Sequence, residues 1–454
     1  MLIKSSSRVA VLDLTHGGAI IACKLAKLAE SAAGVDVYGT LGPEELAALE
    51  NDGIKVSRDP LKASDFDIIV APVHLDPGYP TLKEAIDNKL PVLSHHAAVG
   101  QILSVYDLKG KTIIEITGTK AKTSTATLLA DILSRQKRVV SHTSRGVEDW
   151  GTGKTIKKGL SITPASILPA LDAVIEARIE PDILVFEISL GGTGHADIGV
   201  ITTIANDYKI ANNTKMASEA KRQMILDAKP TSSLVINNDA LRYFGACRRD
   251  IKLISFTDSV NASCNVYYED ISSEGGTIAY YLGRKKGRII IRENPDYDIT
   301  SYKTAFVCAT AIALAMDIDG ETIERAIGGF RGAQGRMRKI SFEGRTLIDN
   351  SNSGLDIRTA EKALEFSKRQ GERIVMVLGE EAKEVCEGLP PAEVKRFIEK
   401  HRDELSALVL VGERMRPLVS DDIYYAGDLQ KGLELAKELT RKNDIILSCV
   451  KCFR

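Results

Sequence analysis

The stretch "ITGTKAKTSTATLL", Ile116 to Leu129, joins an apolar strand pattern ("KTIIEI") to an amphipathic helix pattern ("STATLLADILS") through a short turn containing Gly118. A strand, a tight turn and a helix N-terminus point backbone N–H groups and a partial positive charge at one spot, which suits phosphate. Lys122 adds a mobile charge for the outer phosphates, and the hydroxyl of Thr123 suits a magnesium ion. Ala121 stands where such loops carry glycine, and its methyl group is expected to fit only if φ is negative there. A better Gly-Lys-Thr spelling occurs in "WGTGKT", Trp150 to Thr155. Its flanks, "SRGVED" and "IKKGLSITPAS", offer no helix, so it is expected to be a hairpin tip. The nucleotide is therefore assigned to Gly118, Thr119, Lys120, Ala121, Lys122, Thr123 and Ser124.

Outward from this loop the chain alternates strands and helices. Before it come "RVAVLDL", "VDVYGT", "FDIIVAPV" and "LPVLSH" as strands, with "AIIACKLAKLAESA", "PEELAALENDG" and "PTLKEAIDNK" as helices. After it come the strands "PDILVFEISL", "DIGVITTIAND" and "SSLVINNDA", a strand-rich stretch, and the apolar helix "SYKTAFVCATAIALAMD". A Gly- and Arg-rich linker, "RGAQGRMRKI", leads into a third alternating block from "RTLIDN" to "DIILSCV". Alternation of this kind predicts parallel sheets covered by helices. The expected fold is α/β with three domains: a Rossmann-like N-terminal domain (1–106), a central P-loop nucleotide-binding domain (107–334) and a C-terminal Rossmann-like domain (335–454). The first turn, "DLTHGGA", lacks G-x-G-x-x-G, so NAD is not expected. Gly17 and Gly18 still open a helix that could receive an anion.

The totals narrow the class. The 454 residues carry 60 basic and 61 acidic side chains, a formal charge of -1, which gives no electrostatic case for nucleic acid or a membrane surface. Seven dispersed cysteines fit a reducing compartment, and Cys449 with Cys452 reads as strand-end thiols without a second pair to complete a metal site. No segment approaches the roughly twenty apolar residues of a membrane helix. A cytoplasmic protein is expected.

Further chemistry-bearing residues follow in order. Glu187 ends the apolar strand "LVFEISL", and Asp207 follows "GVITTIAN". Lys221 lies in "EAKRQMI", Asn237 and Asp239 in "VINNDA", Arg336 in the linker and Asp349 in "LIDNSNSG". Each is weak alone, since a strand-end acid is more often a surface residue than a ligand. Together with the loop they resemble the Mur ligase superfamily, most strongly from Ile114 to Gly354. The family loop T-G-T-x-G-K-[ST]-[ST] is matched from Thr117 to Ser124 except at Ala121. The resemblance implies ATP and Mg²⁺, with Thr123, Glu187 and Asp207 toward the metal. It implies Lys221 as the carbamylated lysine, and Asn237 with Asp239 toward the nucleotide base. Arg336 and Asp349 would complete the nucleotide site, and Lys451 is a local match to a C-terminal catalytic lysine. Two positions depart from the T-N-I-x-x-D-H segment: Thr203 replaces its asparagine and Tyr208 its histidine. His195 is a candidate to compensate. "LIDNSNSG" departs from D-Y-A-H-N-P and is nearer D-S-K-A-T-N.

The implied chemistry is activation of a carboxylate as an acyl phosphate, with catalytic residues Lys122, Glu187, Lys221 and Arg336 acting by positioning and electrostatics. Arg336 sits at a hinge from which domain closure would deliver it to the phosphates. The first domain would then hold the acid. Its histidines His16, His74, His95 and His96 each follow a strand, and their convergence would make a partly cationic site for a polycarboxylic small molecule; ordinary loop histidines are the alternative. "VLDLTHGG" and the altered Asp-His segment resemble the Mur-like branch whose members close a carbocyclic ring on a nickel tetrapyrrole. An amide-forming ligase and a non-catalytic nucleotide-binding module remain alternatives, and the oligomeric state is not readable.

Overall fold

The computed structural model describes residues 2–245, 248–381 and 388–452, and every count below is of these residues. Cys247 and Cys386 lie outside the described residues. The chain divides into two compact units, one of residues 1–269, 278–289 and 304–326, the other of 270–277, 290–303 and 327–454.

The first unit opens with β1 (Arg8–Leu12), β2 (Ser31–Val35), β3 (Lys55–Ser57), β4 (Ile68–Ala71) and β5 (Val92–Ser94), an all-parallel sheet ordered β3-β2-β1-β4-β5. Val9, Ala10, Val11 and Leu12 are all fully buried, the continuous apolar run of a strand covered on both faces. One element departs from expectation. The helix after β1 stops at Leu25, and "SAAGV" (Ser31 to Val35), not "VDVYGT", pairs as β2. Tertiary packing overrides the helix propensity of alanine here. A Cβ on Gly34 would come within 2.6 Å of the Leu14 side chain, so only small residues fit this strand.

The second sheet contains β6 (Thr112–Thr117), β7 (Val139–Thr143), β8 (Gly146–Asp149), β9 (Lys154–Lys157), β10 (Ile183–Glu187) and β11 (Ile198–Ile201). A two-stranded ribbon, β12 (Lys209–Ile210) and β13 (Lys215–Met216), stands apart. The sheet then continues through β14 (Ser233–Asn237), β15 (Lys252–Val260), β16 (Val266–Ile271), β17 (Gly275–Leu282) and β18 (Lys285–Arg292). Its parallel heart is β14-β11-β6-β10-β7, so the C-terminal ends of β11, β6 and β10 open side by side.

The first two sheets share one apolar cluster in which Leu14, Ile21 and Val99 meet Leu168, Leu171 and Phe186. Helix His95–Leu103 approaches the second sheet closely enough that a Cβ on Gly100 would lie 2.2 Å from the Thr193 carbonyl oxygen. Polar ties cross the same junction: Lys24 Nζ to Asp172 at 2.8 Å and Asn212 Nδ2 to Asp76 at 2.8 Å.

The second unit carries β19 (Arg338–Phe342), β20 (Arg345–Asp349), β21 (Ile374–Glu380), β22 (Ala407–Val411), β23 (Ile423–Ala426) and β24 (Ile445–Lys451). Their order is β19-β20-β24-β21-β22-β23, parallel apart from the antiparallel edge strand β19. Met376 and Leu378 enter one apolar cluster while Val375 and Val377 enter another, the period-two alternation of a strand buried on both faces. Cys449 is buried in β24 and Cys452 follows it, as expected of strand-end thiols. Three sheets, each with a parallel heart and covering helices, make the protein an α/β fold of three domains. No helix among the described residues is long and apolar enough to cross a membrane.

His95 and His96 begin the helix that links the first sheet to the second, and both are buried. His95 Nε2 bonds the Leu12 carbonyl at 3.0 Å, and His96 Nε2 bonds the Ser189 carbonyl at 2.7 Å. Burial pushes His95 down to about 3 and His96 down to about 4, so both are neutral in the fold. The unfolded chain protonates them below about 6.5, so their contribution is complete above that pH. It is lost as the pH falls toward 4, by up to about 1.4 kcal/mol per pH unit for each histidine. Urea unfolding between pH 7 and 4.5 should show a smaller loss of stability for His96→Gln than for the wild type. Parallel curves for the two proteins would contradict a buried neutral His96.

Candidate active site

The centre of the site is the loop after β6. Gly118 lies at φ +147, and a Cβ there would come within 2.0 Å of Thr202 Oγ1, so glycine is required twice over. Ala121 lies at φ 65, ψ 4, in the left-handed region. The expected negative φ is therefore wrong. Alanine occupies the conformation in which related loops use glycine, at a cost of about 1–2 kcal/mol. The following helix, Lys122–Ser134, starts at once, with Thr125 N bonded to the Ala121 carbonyl at 2.9 Å. Lys122 is its first residue and donates from Nζ to the Gly118 carbonyl at 3.1 Å, folding its charge over the turn.

Two neighbouring strand ends support the turn. On one side, Thr119 N donates to the Thr203 carbonyl at 2.8 Å, and Thr202 Oγ1 donates to the Lys120 carbonyl at 2.6 Å. On the other, β10 pairs Glu187 with Ile116. The buried Glu187 carboxylate accepts from Thr123 Oγ1 at 3.0 Å and from Ser144 N at 3.2 Å. A hydroxyl beside a carboxylate at the mouth of a phosphate loop is a hard-oxygen donor pair of the kind magnesium takes.

Asn237 and Asp239, expected toward the nucleotide base, are both engaged with the segment after β11. Asn237 caps helix Asn238–Phe244 and donates from Nδ2 to the Thr202 carbonyl at 2.8 Å. Asp239 Oδ2 accepts from Thr203 Oγ1 at 2.5 Å, Ile204 N at 3.1 Å and Ala205 N at 3.2 Å. These two residues clamp the segment that itself backs the phosphate turn. Thr203, the departure noted in the sequence, is the residue whose hydroxyl completes the clamp.

Asp207 lies six residues beyond the end of β11, not at the strand end expected for it. Its Oδ1 accepts from Ser218 N at 2.9 Å, tying it to helix Ala217–Lys221. Lys221 is fully buried, with Nζ 5.0 Å from the centroid of the Tyr208 ring and 3.5 Å from the Ala217 carbonyl. Tyr208 thus occupies the histidine's place in the motif as a π-face toward a lysine ammonium.

His195 cannot compensate for Tyr208. It precedes β11, where Asp197 Oδ2 accepts from Ile113 N near the start of β6. Parallel strands put that end on the opposite edge of the sheet from Glu187 and Gly118, roughly 13 Å away for a four-residue strand. Burial, helped by the charge of Lys229, also pushes the His195 pKa down.

In the first domain the expected convergence of histidines is half right. His16 and His74 meet at one buried aspartate, Asp13, at 2.8 and 3.1 Å. His95 and His96 do not present to a ligand; they are buried and hydrogen-bonded to main chain. Gly17 and Gly18 serve packing: a Cβ on Gly17 would lie 2.7 Å from Ala165 Cβ, and one on Gly18 2.2 Å from the Asp13 carbonyl oxygen.

The second unit gathers its own motif residues. Asp349 Oδ2 accepts from Gly335 N at 3.1 Å, and Asn352 Nδ2 donates to the Gly335 carbonyl at 2.7 Å. The Arg336 guanidinium bonds the Asn352 side chain. "DNSNSG" therefore grips the Gly-Arg linker. Lys451 ends β24, paired with Glu380.

Ser144, Asp13 and Glu115 escaped the sequence reading as supporting residues, and Thr117 entered it only as the first position of the loop motif. Thr117 Oγ1 accepts from Gly191 N at 3.2 Å, and Ser144 N reaches Glu187. Asp13 was visible only as part of a turn. Glu115, buried within β6, accepts from Thr193 N at 2.8 Å and fixes the loop after β10. A lone acid inside "KTIIEIT" was the available signal.

The rival loop is a hairpin: β8 and β9 pair antiparallel around Trp150–Gly153, and Thr155 pairs with Glu148. Binding of an ATP analogue, followed by calorimetry, should weaken at least about tenfold in Lys122→Ala through loss of a charged contact. It should be unchanged in Thr155→Ala. Ala121→Gly should keep binding and raise stability by about 0.5–1 kcal/mol, because relief of the left-handed strain exceeds the added chain entropy. Loss of binding in Thr155→Ala would overturn the choice of loop.

Residues 339–452 match the family model for the coenzyme F430 synthetase CfbE, C-terminal domain. The chain is 47% identical to coenzyme F(430) synthetase of Methanosarcina acetivorans, across 98% of this chain and 99% of that protein. It is 24% identical to UDP-N-acetylmuramoylalanine--D-glutamate ligase of Chlorobium phaeobacteroides, across 99% of this chain and 94% of that one. The solved structure of a UDP-N-acetylmuramoylalanyl-D-glutamyl-2,6-diaminopimelate--D-alanyl-D-alanyl ligase from Acinetobacter baumannii superposes with TM-score 0.57. It is 17% identical, covering 79% of this chain and 77% of that one, a likeness of fold. With near-complete coverage at 47% identity, the chain belongs to the coenzyme F(430) synthetase family, ATP-dependent ligases built on the Mur ligase fold.

Proposed function

We propose that the protein activates a propionate-type carboxylate of a nickel seco-tetrapyrrole acid and closes a carbocyclic ring on it, giving coenzyme F(430), ADP and phosphate. The observation that carries this reading is the near-full-length 47% identity to a protein of that name, together with an intact phosphate turn. A carboxylate is a poor electrophile because its charge is shared over two oxygens. Transfer of the γ-phosphoryl group to one oxygen makes an acyl phosphate and releases ADP. A macrocycle carbon then gives its electron pair to the acyl carbon, the C–O bond to phosphate breaks, and the attacking carbon loses its proton. The product is a cyclic ketone.

The residues take these roles by position. The turn from Gly118 to Ser124 cradles the phosphates, and Lys122 offsets their charge as the phosphoryl group moves. Thr123 and Glu187, already 3.0 Å apart, would hold Mg²⁺, with Asp207 as a further oxygen donor from the segment after β11. When bound, that ion neutralises charge on the transferring phosphoryl group. Asn237 and Asp239 act by holding the segment behind the turn, and Lys221 lies buried against the Tyr208 ring. Arg336 and Asp349, which the family resemblance associates with the nucleotide, lie in the second unit, where Asp349 holds the Gly335 backbone of the linker. The proposed domain limits are 1–106, 107–334 and 335–454, with the first domain binding the macrocycle. A cytoplasmic location fits the reading.

Incubation with ATP, Mg²⁺ and the nickel seco-acid should release ADP in step with a change in the visible spectrum. Glu187→Gln should bind nucleotide but lose at least about a hundredfold in rate, the scale of removing one transition-state electrostatic contact. ADP release that depends on an added amino acid would mean an amide-forming ligase. Nucleotide binding without turnover of any acid would mean a non-catalytic module.

A further inference from the structure

The loops after β1 and β4 bring three metal-type donors together: Asp13 and His16 from the first, His74 from the second. The first of these loops is wound widely. Ala19 N donates to the Leu14 carbonyl, a turn of five residues, and Asp13 enters it at φ 65. Wide turns of this kind recur at functional sites, and left-handed backbone outside glycine persists only where its surroundings hold it. Asp13 is fully buried and its carboxylate turns back onto its own loop. Oδ1 accepts from His16 N at 3.2 Å, while Oδ2 faces His16 Nδ1 at 2.8 Å and His74 Nε2 at 3.1 Å.

One reading of this cluster is a hydrogen-bonded tie between two loops. The other is a metal site using the same three atoms, which all lie within 4.8 Å of one another. Charge bears on the choice. Burial pushes the Asp13 carboxyl up, yet the hydrogen bonds and charge of His16 and His74 outweigh it and hold the group well below the usual carboxylate range. Among the described residues no lysine or arginine pairs with this buried carboxylate, so its charge calls for another cation.

Geometry bears on it too. Both imidazoles converge on one oxygen, leaving Oδ1 to a backbone N–H, so the three donors gather at a point instead of spreading over the carboxylate. The rings cross at 86° with centroids 5.0 Å apart, as neighbouring ligands on one ion can. The side chains of His16 and His74 are 30% and 27% exposed while Asp13 lies inside, which gives an ion a path of entry. Spacing then selects the ion. With bonds of about 2.1 Å, neighbouring ligands stand about 3.0 Å apart on an octahedron and about 3.4 Å apart on a tetrahedron. The spacings of 2.8 and 3.1 Å fit the octahedron. Two imidazoles disfavour magnesium or calcium, which take oxygen ligands.

We infer that Asp13 Oδ2, His16 Nδ1 and His74 Nε2 bind an octahedral divalent ion of the first transition row, such as cobalt, nickel or iron. The three donors occupy one face of the ion, and its other three positions take water or carboxylate oxygens. Bound metal offsets the Asp13 charge and locks the loops after β1 and β4 together. The inference is independent of the function proposed above.

The test uses full-length protein stripped by a chelator and titrated with cobalt(II). Magnesium and an ATP analogue are kept in excess to fill the phosphate loop. Wild type should take up one cobalt with the weak visible absorption of a six-coordinate ion, and X-ray absorption should show two imidazoles. Cobalt should also raise its unfolding temperature. His74→Gln retains a donor for Asp13 Oδ2 and removes the imidazole, so a simple tie survives this change and a metal site does not. It should fold and bind the ATP analogue as wild type does. Its cobalt affinity should fall at least about 100-fold, beyond the effect of losing an outer partner of a ligand. Asp13→Asn should lose cobalt to a similar degree. Equal cobalt binding by wild type and His74→Gln, or none by wild type, would overturn the inference and leave a hydrogen-bonded tie. An intense four-coordinate cobalt spectrum would overturn the octahedral assignment.

Discussion

The hydrogen bonds between the turn after β6 and the segment Thr202–Ala205 are the constraint on which the rest of the site depends. Gly118 and Ala121 both lie at positive φ, and such backbone persists only where surrounding contacts over-determine it. Thr202 and Thr203 supply those contacts from one side, and Asp239 fixes Thr203 in turn. On the other side Glu187 arrives by strand register, with no freedom to move relative to Ile116. The site is thus assembled by the parallel sheet: three adjacent strand ends deliver the turn, the acid and the backing segment to one edge.

The same logic explains the first domain. The first parallel sheet reverses its winding between β1 and β4, and there a buried aspartate meets two partly exposed histidines. Close packing of Gly17 on Ala165 and of Gly100 on Thr193 holds this domain against the central sheet. Neither approach tolerates a side chain, so the first sheet sits at a defined place against the central sheet.

Much of this was legible in the sequence, for identifiable reasons. Lys122 could be chosen over Lys154 because a phosphate loop needs a strand and a helix, and only one candidate had both. The helical and strand periods of the apolar runs predicted the three parallel sheets. What failed was whatever depends on tertiary neighbours. Ala121 at positive φ contradicts the preference of alanine, since the backbone there is set by Thr202 and Thr203 from 80 residues away. "SAAGV" became a strand because Leu14 packs on Gly34. His95 and His96 looked like ligands by position, yet the helix they begin is buried between two sheets. His195 carried the right chemistry at the wrong end of a strand, which only strand direction reveals. Asp13, the residue that organises the histidines, was hidden because nothing in "DLTHGG" marks an aspartate as a buried acceptor.

The central claim is that ATP is used to make an acyl phosphate from the substrate's own carboxylate. It is tested most directly by turning over acid labelled with ¹⁸O in the reacting carboxyl group and analysing the phosphate released. Transfer of the γ-phosphoryl group to that carboxylate predicts one ¹⁸O in each phosphate formed, in step with ring closure. Unlabelled phosphate accompanying full conversion would contradict it, because the oxygen would then have come from water.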